Sequence, residues 1–162
     1  ATRTDKPIIG WFAAITVETD NVTIDLNGKT IQASEFFLAN DIENAFAVIE
    51  LDNALFAGPI FGLLGAFFPG DTEFVSAHNV TIKNGTIGRT DHWCIHGNNN
   101  SGITIENVHA KDFPIAGIEF NGIINSQIRN VSSSGLEHII RTNFAGVAAT
   151  TLINYLAAIA NI

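Results

Sequence analysis

Val80-Thr81-Ile82-Lys83-Asn84 is followed by Ile103-Thr104-Ile105-Glu106-Asn107, and then by Gln127-Ile128-Arg129-Asn130. Ile82, Ile105 and Ile128 fall 23 residues apart, and so do Asn84, Asn107 and Asn130. A second segment repeats with the same period. Cys94-Ile95-His96-Gly97-Asn98 lies over Gly117-Ile118-Glu119-Phe120-Asn121, with a third copy near His138-Ile139-Ile140 that has slipped by about a residue. Each segment alternates apolar and polar residues, the period of a half-buried strand. The segments are rich in Ile, Val and Thr and are separated by Asn, Gly and Ser, which suit turns.

One such unit cannot bury its own apolar face, but stacked units can. Isoleucines at equal phase then form an inner column, and asparagines at equal phase bond to one another as a ladder that should be inaccessible. Lys83, Glu106 and Arg129 share another phase with alternating sign, which checks the register. An earlier unit is visible at Asn21-Val22-Thr23-Ile24-Asp25-Leu26-Asn27-Gly28-Lys29-Thr30-Ile31, 58 residues before its match at Asn79. That offset is no multiple of 23, so an insertion lies between. The expected fold is all-β: a right-handed parallel β-helix of coils of about 23 residues, spanning 1–143, with an apolar insertion at 52–77 and a short C-terminal helix in 144–162.

The stretches NVTIDLNGKTI, NVTIKNGTIG and SGITIENV resemble coils of the pectate-lyase-like superfamily of right-handed parallel β-helices. The likeness covers about 21–31 and 78–141. It implies the fold and says little about activity, because that superfamily holds pectate lyases, polygalacturonases, phage tailspikes and adhesins.

Two segments depart from the repeat. Phe46 to Leu51 reads as a strand, but ALFAGPIFGLLGAFFPG, positions 54–70, is almost wholly apolar and broken by Gly58, Pro59, Gly62, Gly65 and Pro69. Those breakers argue against a regular spanning helix. Leu55, Phe56, Ile60, Phe61, Leu63, Leu64, Phe67 and Phe68 must be buried somewhere: as an intramolecular flap over an open end or along a flank of the stack, against another subunit, or in a membrane. At the other end a helix is expected from about 148 to 160, with Leu152, Leu156 and Ile159 on one face. It would cap an open end of the stack or dock on a neighbour. The expected partners are therefore other copies of the chain or other structural subunits, in a head-to-tail filament or appendage.

The most polar cluster is Asp91-His92-Trp93-Cys94-Ile95-His96-Gly97. Stacking places Glu119 beside His96, as a surface hydrogen bond. Polygalacturonase-like enzymes of the superfamily carry a DDCIAI-type strand where Asp91 to Ile95 stands. Their chemistry uses several carboxylates, one protonating the leaving oxygen while another activates water. Here His92 and Trp93 stand where the paired acid should be. Ala116-Gly117 replaces the family's Gly-His-Gly, and the Arg-Ile-Lys is missing. Calcium-dependent lyases need about 6–8 oxygen ligands, and one face here offers Asp91, Glu119 and Asp112. His92 and His96 share a strand face, but roughly 13 Å apart, too far to hold one ion. Asp91, His96 and Glu119 are thus the catalytic candidates of a chain whose sequence assigns no catalytic residue, no metal and no cofactor.

Composition sets the remaining bounds. The 162 residues suffice for one domain with a core. The net charge of -8 argues against a nucleic acid as partner, since that needs a basic stripe. No stretch reaches the roughly 18 uninterrupted apolar residues of a membrane span. Cys94, the single cysteine, lies between Trp93 and Ile95 and reads as a buried structural thiol. The chain starts at Ala1 and lacks methionine, which reads as a processed product or part of something longer. Sequons occur at Asn21, Asn79, Asn84, Asn99 and Asn130. In a secreted protein Asn99, on a tight turn between coils, is the expected glycosylation site. The expectation is a non-enzymatic structural or surface module at the cell exterior or on a particle. The alternative is a polysaccharide lyase, glycoside hydrolase or glycan-binding module.

Overall fold

A computed structural model describes residues 12–35, 45–53 and 75–135. Within them the chain is all-β, and its strands pair in parallel. The nine strands are β1 Phe12–Thr16, β2 Thr23–Asp25, β3 Thr30–Gln32, β4 Ala45–Glu50, β5 Thr81–Gly88, β6 Trp93–Ser101, β7 Thr104–Lys111, β8 Ala116–Ile124 and β9 Gln127–Ser134. One sheet runs β1-β4-β6-β8 and the other β2-β5-β7-β9, with β3 also on β5. The chain alternates between the two sheets from β4 onward. That alternation is what parallel pairing demands, because a hairpin cannot join parallel neighbours.

The register is the one the repeat predicts. Ile24, Ile82, Ile105 and Ile128 are in line across the second sheet. Ile15, Ile49, Ile95 and Ile118 are in line across the first. Ile49, Ile82, Ile95 and Ile105 are all 0% exposed and lie in one core with Val80, Ile87 and Val108. Fully burying each such side chain contributes about 1.5–3 kcal/mol. Cys94 sits in the same core, and burial pushes its thiol up to about 12, so it is an unreactive packing group as expected.

Corners recur with the strands. Positive φ falls on Asn79, Gly102 and Asn125, on Asn84, Asn107 and Asn130, on Arg89 and Asp112, and on Asn99 and Gly122. Each set is spaced by 23, so every unit bends at the same points. Asn is tolerated in the left-handed region because its short side chain bonds locally, and Gly because it has no Cβ. Gly102 has a second reason: a Cβ there would collide with Asn79 Oδ1. Asn98–Asn100 is not the turn between strands, which falls at Gly102 in the link between β6 and β7. β6 runs through Asn98–Asn100 to Ser101, bending at Asn99.

Asn130 donates to Asn107, and Asn107 to Asn84, at 2.6 and 3.1 Å, so the asparagine ladder forms. It is not inaccessible, however. Asn107 and Asn130 are exposed and Asn84 is half-buried. A residue at a left-handed corner projects away from the core, and the ladder runs up the outside. Beside it the charges pair as Asp25 with Lys83 and Glu106 with Arg129.

Of the expected insertion at 52–77 only the two ends are described. β4 pairs directly with β6, so no strand layer intervenes. Its described ends are clamped together: Ala77 N donates to Leu51 O at 2.9 Å and Asn53 N to Val75 O at 3.0 Å. The buried Asn100 amide donates to both Leu51 O and Ala77 O, at 2.8 and 2.9 Å. The apolar run 54–70, with its eight named side chains, lies outside the described residues. So do the third copy near His138 and the expected C-terminal helix carrying Leu152, Leu156 and Ile159. Among the described residues no helix is long and apolar enough to cross a membrane.

Candidate functional site

Successive side chains of a strand point to opposite sides of the sheet. The residues that follow the core isoleucines of the first sheet are Glu50 on β4, His96 on β6 and Glu119 on β8, in register with one another. Two residues further along stand Asp52, Asn98 and Asn121, Asn98 being the register partner of Asn121. Parallel pairing thus assembles a grid of six polar side chains from three strand layers.

Five of them close a ring. The Glu50 and Asp52 carboxyls share a hydrogen bond. Asn98 Nδ2 donates to Asp52 Oδ2 at 2.7 Å, and Asn121 Nδ2 donates to Asn98 Oδ1 at 2.9 Å. Asn121 Nδ2 also reaches His96 Nε2 at 3.3 Å, and His96 Nδ1 lies 2.9 Å from both oxygens of Glu50. The directions are mutually determined. A carboxylate only accepts, so it fixes the Asn98 amide, and Asn98 Oδ1 fixes Asn121. Asn121 then presents an N–H to His96 Nε2, which must accept. The imidazole proton therefore sits on Nδ1 and is donated to Glu50.

The ring is deep. Glu50 and Asp52 are 0% exposed and His96 is 3% exposed. Burial, and next the neighbouring Asp52 carboxylate, push the Glu50 carboxyl up to about 10, so it holds its proton at neutral pH. Burial lowers His96 as well, opposed by Asp52 and Glu119. Near pH 7 the Glu50–His96 contact is thus a hydrogen bond between neutral groups, not an ion pair.

Aromatic rings cover the grid. Phe46 meets His96 edge-on at 5.0 Å and Trp93 at 4.5 Å, and Trp93 lies 4.7 Å from His96. Trp93 Nε1 donates to Glu119. The expected surface hydrogen bond from His96 to Glu119 is therefore replaced. Although the two are register neighbours, His96 turns to Glu50 and Glu119 takes the indole, because a buried Glu50 needs a partner more than a half-exposed Glu119 does. Asp91 is buried in the link between β5 and β6 and is not a member of the ring. His92 packs 5.3 Å from Trp93 and 6.3 Å from Phe46.

Glu50, Asp52 and His96 were not paired from the sequence, yet a signal exists. Glu50 precedes His96 by 46 residues, as Asp52 precedes Asn98. Carrying the alignment of Phe46–Leu51 across the insertion would have placed both carboxyls in the grid.

These three side chains are also the donor set for a divalent cation: their ligand atoms lie within 4.8 Å of one another. An imidazole nitrogen and two carboxylates suit zinc. The surrounding amides oppose it, since they place the proton on Nδ1, the atom that would bind the ion. A ligated Nδ1 would leave Nε2–H facing the Asn121 amide N–H, where a metal-bound histidine requires an acceptor. The arrangement fits a hydrogen-bonded brace better than a metal centre.

No family model, curated protein or solved structure matches this chain. The likeness to pectate-lyase-like coils rests on the residues quoted above.

Proposed function

We propose that the two parallel sheets are faces of a right-handed parallel β-helix, and that this helix is a non-enzymatic structural or surface module. Its partners are other copies of itself or other structural subunits. The fold reading is supported by the 23-residue register across both sheets and by the corners that recur with it. A right-handed crossover is the expected hand for parallel strands joined in this way.

One observation carries the functional reading. Glu50, Asp52 and His96, the acid–base groups of the ring, are buried and bonded to one another, which leaves half-exposed Glu119, itself bonded to Trp93, as the one carboxyl of the grid that a substrate can reach. Glycosidic chemistry needs an acid and a base flanking a bound sugar. Glu50 holds a proton at neutral pH, which would suit an acid, but at 0% exposure it reaches no sugar oxygen. The apolar segments 54–70 and 144–162 are the natural further docking elements of such a module.

A glycan-binding role has one feature in its favour. Half-exposed Trp93 lies beside Glu119, with exposed Asn121 next to it, and an indole with flanking polar groups is a surface on which a sugar ring can stack. On a secreted chain Asn21, Asn79, Asn99 and Asn130 are all exposed sequon asparagines at left-handed corners, so exposure does not single out Asn99.

The test is a panel of acidic and neutral polysaccharides, with and without calcium, read for depolymerisation and for binding. No cleavage is expected. Cleavage that Glu119→Gln or Glu50→Gln abolishes would overturn the non-enzymatic reading. Binding that Trp93→Ala removes would establish the glycan-binding alternative instead.

A further inference from the structure

We infer that a second copy of this chain docks end to end on the first, seating its β1 and β2 on the β8 and β9 of its neighbour. This rests on the structural-module reading above and gives it a partner and an interface.

The columns of the second sheet stop unfinished. Ile82 and Ile105 are 0% exposed, but Ile128, one layer on at the same phase, is 53% exposed. Nearby on the last strand of the first sheet, Ile124 is 65% exposed. Among the described residues β9 is the last strand at one end of its sheet and β2 the last at the other. Terminal strands present unpaired backbone groups that template another chain. Because the strands all pair in parallel, the end of one copy offers the strand direction that the start of another needs.

The charges select the occupant. The outer column reads Asp25, Lys83, Glu106, Arg129, alternating in sign from one end to the other. It begins with an acid and ends with a base. Continuing the register sets Asp25 of the incoming copy on Arg129 and Ile24 on Ile128. The same translation sets Ile15 on Ile118 and Thr16 on Glu119 in the first sheet, so one rigid placement serves both sheets. Arg129 and Asp25 retain 62% and 44% of their side-chain surface in the single copy, so both remain accessible. Unlike ends of identical copies related by translation form a heterologous contact, which propagates unless it closes.

The experiment is sedimentation velocity of the full chain over micromolar concentrations, with Asp25→Lys, Arg129→Glu and Ile128→Lys, alone and mixed. Wild type is expected to associate, less so at high salt, because exposed charges are screened beyond about 8–10 Å. Asp25→Lys and Arg129→Glu should each weaken association at least about tenfold, a typical consequence of setting like charges face to face. An equimolar mixture of the two should restore it, since the introduced lysine of one copy then meets the introduced glutamate of the other. That rescue separates docking from any loss of folding, and unchanged melting of each variant alone confirms it. Association that ignores both charge reversals and Ile128→Lys overturns end-to-end docking while leaving assembly through the apolar segments intact. A wild type that stays monomeric overturns the docking and the assembly together, and the polysaccharide panel still judges the non-enzymatic reading separately. A monomer whose melting temperature collapses with Ile128→Lys would overturn the docking too, by showing that the chain's own residues after 135 occupy β9.

Discussion

The two sheets carry polar columns built by the same register, yet they meet opposite surroundings. On the first sheet Glu50, His96, Asp52, Asn98 and Asn121 join in a ring whose three ionisable groups are buried. On the second, Asn84, Asn107 and Asn130 form a ladder beside Asp25, Lys83, Glu106 and Arg129, largely open to water. In-line stacking alone does not determine what a polar column contributes. At Glu50, Asp52 and His96 water cannot readily replace a lost partner, so removing one of the three leaves the others unsatisfied, whereas half-buried Asn98 and exposed Asn121 form the ring's wet side. In the outer column water replaces any partner at little cost. The ring also sets protonation, holding Glu50 neutral at pH 7, whereas in the outer column hydrogen bonds from Asn27 and Asn84 hold the Asp25 carboxyl below its ordinary value.

The largest expected effect comes from opening the ring. His96→Ala removes the donor to Glu50 and the acceptor for Asn121, and should cost about 2–4 kcal/mol in urea unfolding at pH 7. A loss under about 1 kcal/mol would mean that water enters and satisfies the ring, and the contrast between the sheets would fall.

Glu50→Gln is the sharper probe because it copies the protonated acid. Its amide can donate to Asp52 while its oxygen accepts from His96. In the wild type the Glu50 carboxyl is about 10 in the folded state and near its ordinary 4.5 when unfolded. Between these values the unfolded chain binds fewer protons, so stability falls as pH rises, by up to about 1.4 kcal/mol per pH unit. His96, lowered by burial, acts oppositely and only below its ordinary 6.5. From pH 7 to 9 the wild type should therefore lose stability while Glu50→Gln stays nearly flat, and the variant should be the more stable at pH 9. Parallel curves would show that Glu50 is ionised in the folded protein.

Much of this was readable from the chain and some was not, for physical reasons. The columns Ile82–Ile105–Ile128 and Asn84–Asn107–Asn130 follow from spacing alone, because parallel stacking converts equal phase into contact. Which side of a column water occupies does not follow from phase. The ladder reads equally well as internal, and only the left-handed corners at Asn84, Asn107 and Asn130 turn it outward. His96 reads as a surface partner of Glu119 because both lie in the uninterrupted repeat. Its actual partner, Glu50, stands on the far side of the insertion, where offsets differ between the sheets: 58 from Asn21 to Asn79 but 46 from Glu50 to His96. One insertion length cannot reconcile the two, because residues between β3 and β4 add to the first offset alone.

The ladder should respond more mildly, and in a way that separates backbone from hydrogen bonds. Asn107 holds φ 53° and joins two neighbours. Asn107→Gly keeps the corner and loses the bonds, for about 0.5–1 kcal/mol. Asn107→Ala keeps a Cβ in the left-handed region without the local side-chain bonding that lets Asn tolerate it, which adds up to roughly 1–2 kcal/mol. Equal losses for the two would show that asparagine is there for its ladder rather than for the corner.

The smallest effect should be Glu106→Gln, measured at concentrations where single copies dominate. Arg129 donates its Nε to Glu106 at 2.7 Å, but its side chain keeps 62% of its surface in water. Solvent screens the attraction, and ordering a long side chain opposes it, so the loss should be no more than about 0.5 kcal/mol. In about 1 M salt, where the screening length shrinks to roughly 3 Å, even that should vanish. The ring, shut off from ions, should give the same His96→Ala loss at low and high salt. A Glu106→Gln loss above about 1 kcal/mol that persists in salt would place the outer column on a level with the ring. Burial would then not be what distinguishes the two sheets, and the charge alternation from Asp25 to Arg129 would be holding the single copy together rather than standing ready for the next.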